Sequence, residues 1–550
     1  MMSQILNIRG VTIHFPHEAY EVQKNYMEKV IQCLQEGTNG ILESPTGTGK
    51  TLSLLCSSLA WLEDKKAAIQ LRSNIGIGEL QSGRRGSGIL NSLTDAFDDP
   101  RGDVHGMYGT PKIIYSSRTH SQLSQVVGEL KKCNYKYVKS VVLGSRDQLC
   151  LHPDVQKLPD NSSKLRMCKQ KVSTKTCSFH LNYDTKMTQM EYQESSVVDI
   201  EDLGKLGKKF TCCPYYTARS LKNKADIIFM PYNYLVDPKS RKAHGVELQG
   251  NVVIFDEAHN IENMCEDSMS FDVRSSDLAT CIKDVTHVME LLKGKESESF
   301  TPDAAPPDFS IQDIAQITAM FHSVEESLDQ VVQDARGSPV TKPGSFILDV
   351  LSAAGVTQEN KDMLLDLLDK AVSFLEANTV GHISAKGAGL NKFSGLEANT
   401  VGHFSAKGAG LNKFSGILNI MYSIESEKGS LHSTLASKYR VHIQKDEGKK
   451  GPTDVWTVSS TSKQGGWTMN CWCFSPGLSM TSLMKHGVHS IILTSGTLSP
   501  LNSFASELGI PFPVRLENPH VISGAWYSVS SETREPTRNL RQASFCEHCW

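Results

Sequence analysis

Five short runs along the chain are apolar at successive positions rather than at alternate ones: Gly40–Glu43, Lys112–Ser116, Asp226–Met230, Asn251–Phe255 and Ser490–Leu493. Runs of this kind suit strands buried on both faces, as in a parallel sheet covered by helices on either side. The pattern therefore predicts an α/β fold. The intervals between the runs are uneven. One holds a Lys- and Cys-rich insertion between Cys150 and Cys213, and a longer one, Ile261 to Gly466, separates the fourth run from the fifth. Within the longer interval, apolar positions at helical spacing in Ile311–Val332 and Lys361–Leu375 predict amphipathic helices. Ala68–Gly109 and Ser297–Ser310, rich in small, polar and helix-breaking residues, read as loosely ordered. Leu375–Gly395 and Leu396–Gly416 are near-copies of 21 residues that differ only at Ile383 and Phe404. Two units are too few for a solenoid. The block reads as a recent duplication or an exon counted twice, without a catalytic role.

Composition narrows the class only a little. At 550 residues the chain suits two or three domains, and 39% hydrophobic with 21% charged residues is ordinary for globular protein. A net charge of −3 does not announce a nucleic-acid partner, so any such case rests on local patches. Met1–Gly10 lacks the basic and apolar regions of a secretory signal, and no apolar run approaches the ~18 residues of a membrane span. A reducing compartment and no membrane partner are expected. There, fourteen cysteines are not a disulfide framework. Cys33, Cys56, Cys265 and Cys281 read as small buried apolar residues, and the terminal Cys546 and Cys549 as a chance pair.

The first apolar run leads into chemistry. Gly40 to Thr51 reads as a strand, a glycine-bearing turn and a helix, Leu52–Leu62. Ser44, Pro45, Thr46, Gly47, Thr48, Gly49, Lys50 and Thr51 form a P-loop in which Ser44 stands where the strict motif has Gly. Backbone N–H groups there cradle phosphate at a helix N-terminus; Lys50 neutralises β- and γ-phosphate charge, and the Thr51 hydroxyl ligates Mg²⁺. The expected ligand is ATP with Mg²⁺. In Val252–His259 an apolar strand ends in adjacent carboxylates. Asp256 suits the Mg²⁺ shell, Glu257 the attacking water, and His259 a link toward the far side of the site. Leu493–Pro500 places small hydroxyl residues at another strand end, suited to sensing nucleotide state. Phe15–Gln23 resembles an adenine-reading Q motif, with the Gln23 amide as reader.

Cys150, Cys168, Cys177 and Cys213 are candidates for four ligands of one cluster, with Cys212 an alternative to its neighbour. Their long, irregular spacing is unlike a zinc ribbon; it suits a [4Fe–4S] cluster without excluding zinc. Lys164, Arg166, Lys169, Lys171, Lys175, Lys208 and Lys209 surround them and read as a basic surface for a DNA backbone.

With these motifs assembled, the chain resembles the XPD-like superfamily 2 DNA helicases that carry iron–sulfur clusters. The resemblance lies in Glu43–Thr51, Ile113–Val126, Val142–Cys150, Ala225–Leu235, Val252–Asn260, Cys471–Gly477 and Ile492–Pro500, and extends with gaps from Ile8 to His520. It implies a RecA-like first motor domain in three parts, 1–140, 221–262 and 467–520. Between them it implies an iron–sulfur domain, 141–220, and a helical Arch insertion, 263–466, which holds the duplicated block 375–416. It also implies that Arg118, Thr119 and His120 face single-stranded DNA, that translocation runs 5′ to 3′, and that the work is telomere and genome maintenance in the nucleus on recombination or telomeric structures. Replication or repair proteins are possible partners that no motif here identifies.

One departure stands out. Residues 521–550 form a polar tail without strand–helix alternation, where the family continues into a second motor domain whose arginines reach the γ-phosphate. The expectation is a chain that binds ATP–Mg²⁺ and DNA yet hydrolyses ATP slowly. An alternative expectation is a short isoform that works as a nucleotide- and DNA-binding module without motor activity.

Overall fold

The computed structural model describes residues 3–82, 110–159, 161–183, 185–186, 197–297, 308–387, 408–424, 431–446 and 466–519. Thirteen strands follow one another along the chain: β1 (Gln4–Ile8), β2 (Val11–Phe15), β3 (Gly40–Glu43), β4 (Ile113–Ser117), β5 (Ser140–Val142), β6 (Ile227–Pro231), β7 (Val252–Asp256), β8 (Phe271–Arg274), β9 (Val340–Pro343), β10 (Tyr439–Lys445), β11 (Trp467–Cys473), β12 (Ser490–Ser495) and β13 (Val514–Glu517).

Seven of them form one sheet in the order β13-β3-β12-β7-β4-β6-β5, with parallel pairing throughout. All five apolar runs lie in it, and β4, β6, β7 and β12 are buried at every position. Successive side chains leave a strand on opposite faces, and the packing obeys this. Ile113 and Tyr115 join a core with Val252, Ile254 and helices Glu21–Glu36, Lys50–Ser82 and His120–Lys132. Ile114, Val253 and Phe255 join a second core on the other face, with helices Gly477–Lys485 and Leu501–Leu508. The sheet is the α/β, RecA-like frame that the apolar runs and the family resemblance together implied. β1 and β2 form a separate hairpin whose turn residues, Arg9 and Gly10, both have positive φ, the geometry that tight hairpins require.

The long insertion has its own core, built on helices Ile311–Asp334, Lys361–Gly387 and Ala409–Tyr422. It is not purely helical. β8, β11, β10 and β9 form an antiparallel sheet in that order beneath the helices. β11 falls in the segment that the sequence reading gives to the returning motor domain, yet Met469, Cys471 and Cys473 all sit in the insertion's core. The near border lies inside helix Ile261–Met269: Ile261 and Cys265 pack in the motor core and Met269 in the insertion's. In the same way β5 belongs to the motor sheet although the expected cluster domain begins within it.

Two further readings change. The helix after the P-loop runs to Ser82, well past Leu62 and through the first part of the segment read as loosely ordered. The rest of that segment, the middle of the duplicated block, most of Ser297–Ser310 and the whole tail 521–550 with Cys546 and Cys549 lie outside the described residues.

Candidate nucleotide site and cysteine cavity

The P-loop leaves β3 and enters helix Lys50–Ser82 through Gly47 and Gly49, both at positive φ. A side chain at Gly49 would also collide with Gln23, whose Nε2 would lie 2.4 Å from an added Cβ. Gln23 donates from Nε2 to the Thr48 carbonyl at 2.9 Å and accepts from the Tyr20 N–H at 3.0 Å. The residue expected to read adenine thus also braces the turn, with one N–H and one lone pair still unused. Ser44 and Thr48 share a hydroxyl–hydroxyl bond of 2.8 Å beneath the loop. Thr46 and Thr51 flank it, and Pro45 supplies the carbonyl that the Thr48 hydroxyl donates to.

β7 lies one strand away from β3, across β12. At its end Glu257 takes a left-handed conformation, φ 57° and ψ 44°, which few non-glycine residues adopt. The turn sends its carboxylate back over the P-loop, where Lys50 Nζ, in a side chain only 8% exposed, donates to Oε1 at 3.0 Å. Oε2 accepts from the Ser495 hydroxyl at 3.3 Å and lies 3.4 Å from His259 Nδ1, which is 3.0 Å from the same hydroxyl. Asp256 is buried, and that burial raises its pKa above the usual carboxylate value. The Tyr115 hydroxyl, donating to Oδ2 at 2.7 Å, and the charge of Lys50 work against the shift. Lys50, Asp256, Glu257, His259 and Ser495 therefore meet at the ends of adjacent parallel strands, the place where α/β sheets bind ligands.

Arg118, Thr119 and His120 follow directly from β4. Arg118 and Thr119 are exposed, and the Thr119 hydroxyl caps helix His120–Lys132 by accepting from the Gln122 N–H. His120 is half-buried against Tyr234, and burial lowers its pKa, so the ring is neutral near pH 7.

The cysteines converge although they come from four separate places in the chain. Cys150, Cys168, Cys177 and Cys213 line one small cavity, closed by apolar groups such as Val155, Val172 and Phe179. Cys212 turns away, its Sγ 3.5 Å from the Thr217 hydroxyl. Burial pushes the Cys213 thiol up to about 12, so the free group is protonated at neutral pH. Among the described residues no three Cys, His, Asp or Glu side chains form a group suited to a single metal ion.

Sequence reasoning missed Arg146. Its guanidinium stacks 4.1 Å from the Tyr215 ring and lies beside Cys168. Burial works to lower its pKa, but Tyr215 and Cys168 outweigh that and raise it. The signal available was an arginine four residues before a candidate ligand. The basic surface is smaller than it reads in the sequence. Lys164 is buried in an ion pair with Asp147, Lys171 pairs with Asp154 at 2.9 Å, and Lys169 pairs with Glu376 of the insertion at 2.9 Å. Lys175, Lys208 and Lys209 remain exposed.

Residues 115–278 match the DEAD_2 family, and residues 280–397 and 394–476 match the family described as RTEL1 helicase, ARCH domain. The second match comes in two pieces that meet at the junction of the duplicated block. A solved XPD helicase superposes with a TM-score of 0.41 at 16% identity, covering 91% of this chain and 62% of that one. The matches make the chain similar to the DEAD_2 family over residues 115–278 and to the Arch domain of RTEL1 helicases over residues 280–476. In particular, the chain is similar to the regulator of telomere elongation helicase 1 homolog of Drosophila mojavensis, at 42% identity over 94% of this chain and 50% of that protein. It is likewise similar to human regulator of telomere elongation helicase 1, at 43% identity over 94% of this chain and 41% of that protein. The chain spans about half the length of the curated relatives it matches.

Proposed function

We propose that the chain forms the ATP-binding motor of a 5′→3′ DNA helicase of telomere and genome maintenance, acting in the nucleus on single-stranded and structured DNA. The observation that carries this reading is the meeting of Lys50 and Glu257 at 3.0 Å, with Asp256 beside them, across strands far apart in sequence. Lys50 is set to exchange a carboxylate for a phosphate oxygen. Glu257, released by that exchange, is free to orient a water and accept its proton. Thr51 and Asp256 hold Mg²⁺, whose chemistry is to neutralise phosphate charge. His259 and Ser495 share Glu257 between the nucleotide side and the strand end. Arg118, Thr119 and His120 present a DNA-facing edge just beyond β4.

The same reading gives Cys150, Cys168, Cys177 and Cys213 a [4Fe–4S] cluster. Four sulfurs around one tetrahedral zinc stand roughly 3.8 Å apart, given Zn–S bonds of about 2.3 Å. Four buried thiols around one cavity support a single shared occupant, and the long, irregular spacing of the cysteines favours a cluster over a zinc ribbon. Its thiolate set would hold iron and lock four distant segments together.

The decisive experiment is Lys50→Ala in the 550-residue chain. ATP affinity and any DNA-stimulated hydrolysis should fall at least tenfold, since a charged contact to phosphate contributes about 1.5–3 kcal/mol, while affinity for single-stranded DNA stays within about twofold. Unchanged ATP affinity would refute the site. A chain that binds both ligands and never hydrolyses ATP would instead favour a non-motor module.

A further inference from the structure

Two tyrosines beneath the nucleotide site have no role in the mechanism above. The Tyr115 hydroxyl, fully buried, donates to Asp256 Oδ2 at 2.7 Å, while Oδ1 accepts from the Glu257 N–H at 3.0 Å. Each carboxylate oxygen is left one free lone-pair direction, which fixes the orientation the group presents upward. The Tyr232 hydroxyl donates to the Asp256 main-chain carbonyl, and the Tyr232 N–H donates to the Ser117 carbonyl at 3.1 Å. Side chain and backbone of one acidic residue are thus both tied to the end of β4. That end is Ser117, whose hydroxyl donates to Gln122 Oε1 at 3.0 Å in the first turn of the following helix, and whose next residue is Arg118. The positive charge of Arg118 is felt at the Tyr232 hydroxyl. Two links therefore run from the Arg118–His120 edge to Asp256, separate from the His259–Ser495–Glu257 contacts: hydrogen bonds through Ser117 and Tyr232 to its main-chain carbonyl, and strand β4 itself, through the Tyr115 hydroxyl, to its carboxylate.

We propose that Tyr115 and Tyr232 are positioning residues: they set the Asp256 carboxylate for Mg²⁺ and carry the occupancy of the Arg118–His120 edge to it. Coupling between sites travels through contiguous packed and hydrogen-bonded contacts, and by these contacts a shift of the β4 end on ligand binding reaches Asp256 as a change of orientation. The inference rests on the DNA-facing reading of that edge, and the test separates the two.

The 550-residue chain is titrated with a fluorescent N-methylanthraniloyl ATP in EDTA, in Mg²⁺, and in Mg²⁺ with oligo(dT). In the wild type, Mg²⁺ tightens binding and oligo(dT) changes it further. In Tyr115→Phe, affinity in EDTA stays within about twofold and oligo(dT) binding alone is unchanged. The Mg²⁺-dependent gain falls about tenfold, as loss of a hydrogen bond to a charged group predicts, and the oligo(dT) effect disappears. Tyr439→Phe, which removes a buried hydroxyl bonded to the Met269 carbonyl in the insertion, leaves all three titrations as in the wild type. A wild-type Mg²⁺ gain in Tyr115→Phe, or an equal loss in EDTA, overturns the proposal. Should Tyr115→Phe not fold, Asp256→Asn serves: an oligo(dT) effect that persists without that carboxylate overturns the link. A wild type that binds nucleotide but not oligo(dT) refutes the DNA-facing edge and the coupling with it; the loss of Mg²⁺ gain in Tyr115→Phe then still judges the positioning role.

Discussion

At the residue scale the cysteines show what a side chain's direction decides. Cys212 and Cys213 are neighbours and both buried, yet of the two only Cys213 lines the cavity. Cys213→Ser and Cys177→Ser should each strip iron and acid-labile sulfide from anaerobically purified protein, whereas Cys212→Ser should retain both; zinc in place of iron would contradict the assignment. Glu262 offers a second test. Burial, then the charge of Glu507 and a shared hydrogen bond with it, push its carboxyl up to about 7. The raised folded-state value means that the native protein holds this proton more tightly than the unfolded chain does. The contribution to stability is therefore present in full below the unfolded value near 4.5 and is lost as pH rises toward 7. Glu262→Gln should flatten the fall in melting temperature between about pH 5 and 7; an unchanged slope would place the titration elsewhere.

At the scale of elements, the described contacts of the duplicated block lie at its two ends. Leu375, at the start of the first copy, and Leu411 and Phe414, near the end of the second, are the buried anchors, and Lys413 of the second copy pairs with Asp272 and Asp277. Deleting residues 388–408 restores a single copy between those anchors. The deletion shortens the connection between Leu375 and Leu411 from 35 residues to 14, which changes its closure cost by only about 0.8 kcal/mol. The melting temperature should therefore change little once the end of helix Lys361–Gly387 unwinds to supply the turn. Phe414→Ala should cost about 3 kcal/mol or more, from its buried contact with Phe321. Elements were legible where a pattern ran strictly on one period. The continuous apolar runs gave five sheet strands, because a parallel strand meets apolar neighbours on both faces. β5 and β13 were too short or too mixed to register. β10 and β11 do alternate, but inside a segment dominated by helical periodicity, and their partners β8 and β9 carry charged residues on the exposed face. The P-loop and the Asp256–His259 string, a DEAH box, were legible as local strings. The Tyr115–Asp256 contact and the pairing of Lys164 were not, because they depend on which distant strands become neighbours.

At the scale of the whole molecule, the sheet's order in space departs from its order in synthesis. β3, which carries the P-loop, is flanked only by β12 and β13, both from the far end of the described chain. A ribosome that has just delivered β7 and its DEAH box has made both halves of the nucleotide site and still has no strand to join them. The entire insertion must emerge before Ser490–Ser495 arrives to pair with Val252 on one side and Gly40 on the other. A chain ending at residue 480 should thus hold an intact P-loop and DEAH box and bind no ATP, while one ending at 519 should bind it. The nucleotide motif encoded first is completed last, so a nascent chain is spared from engaging ATP until the whole insertion lies behind it.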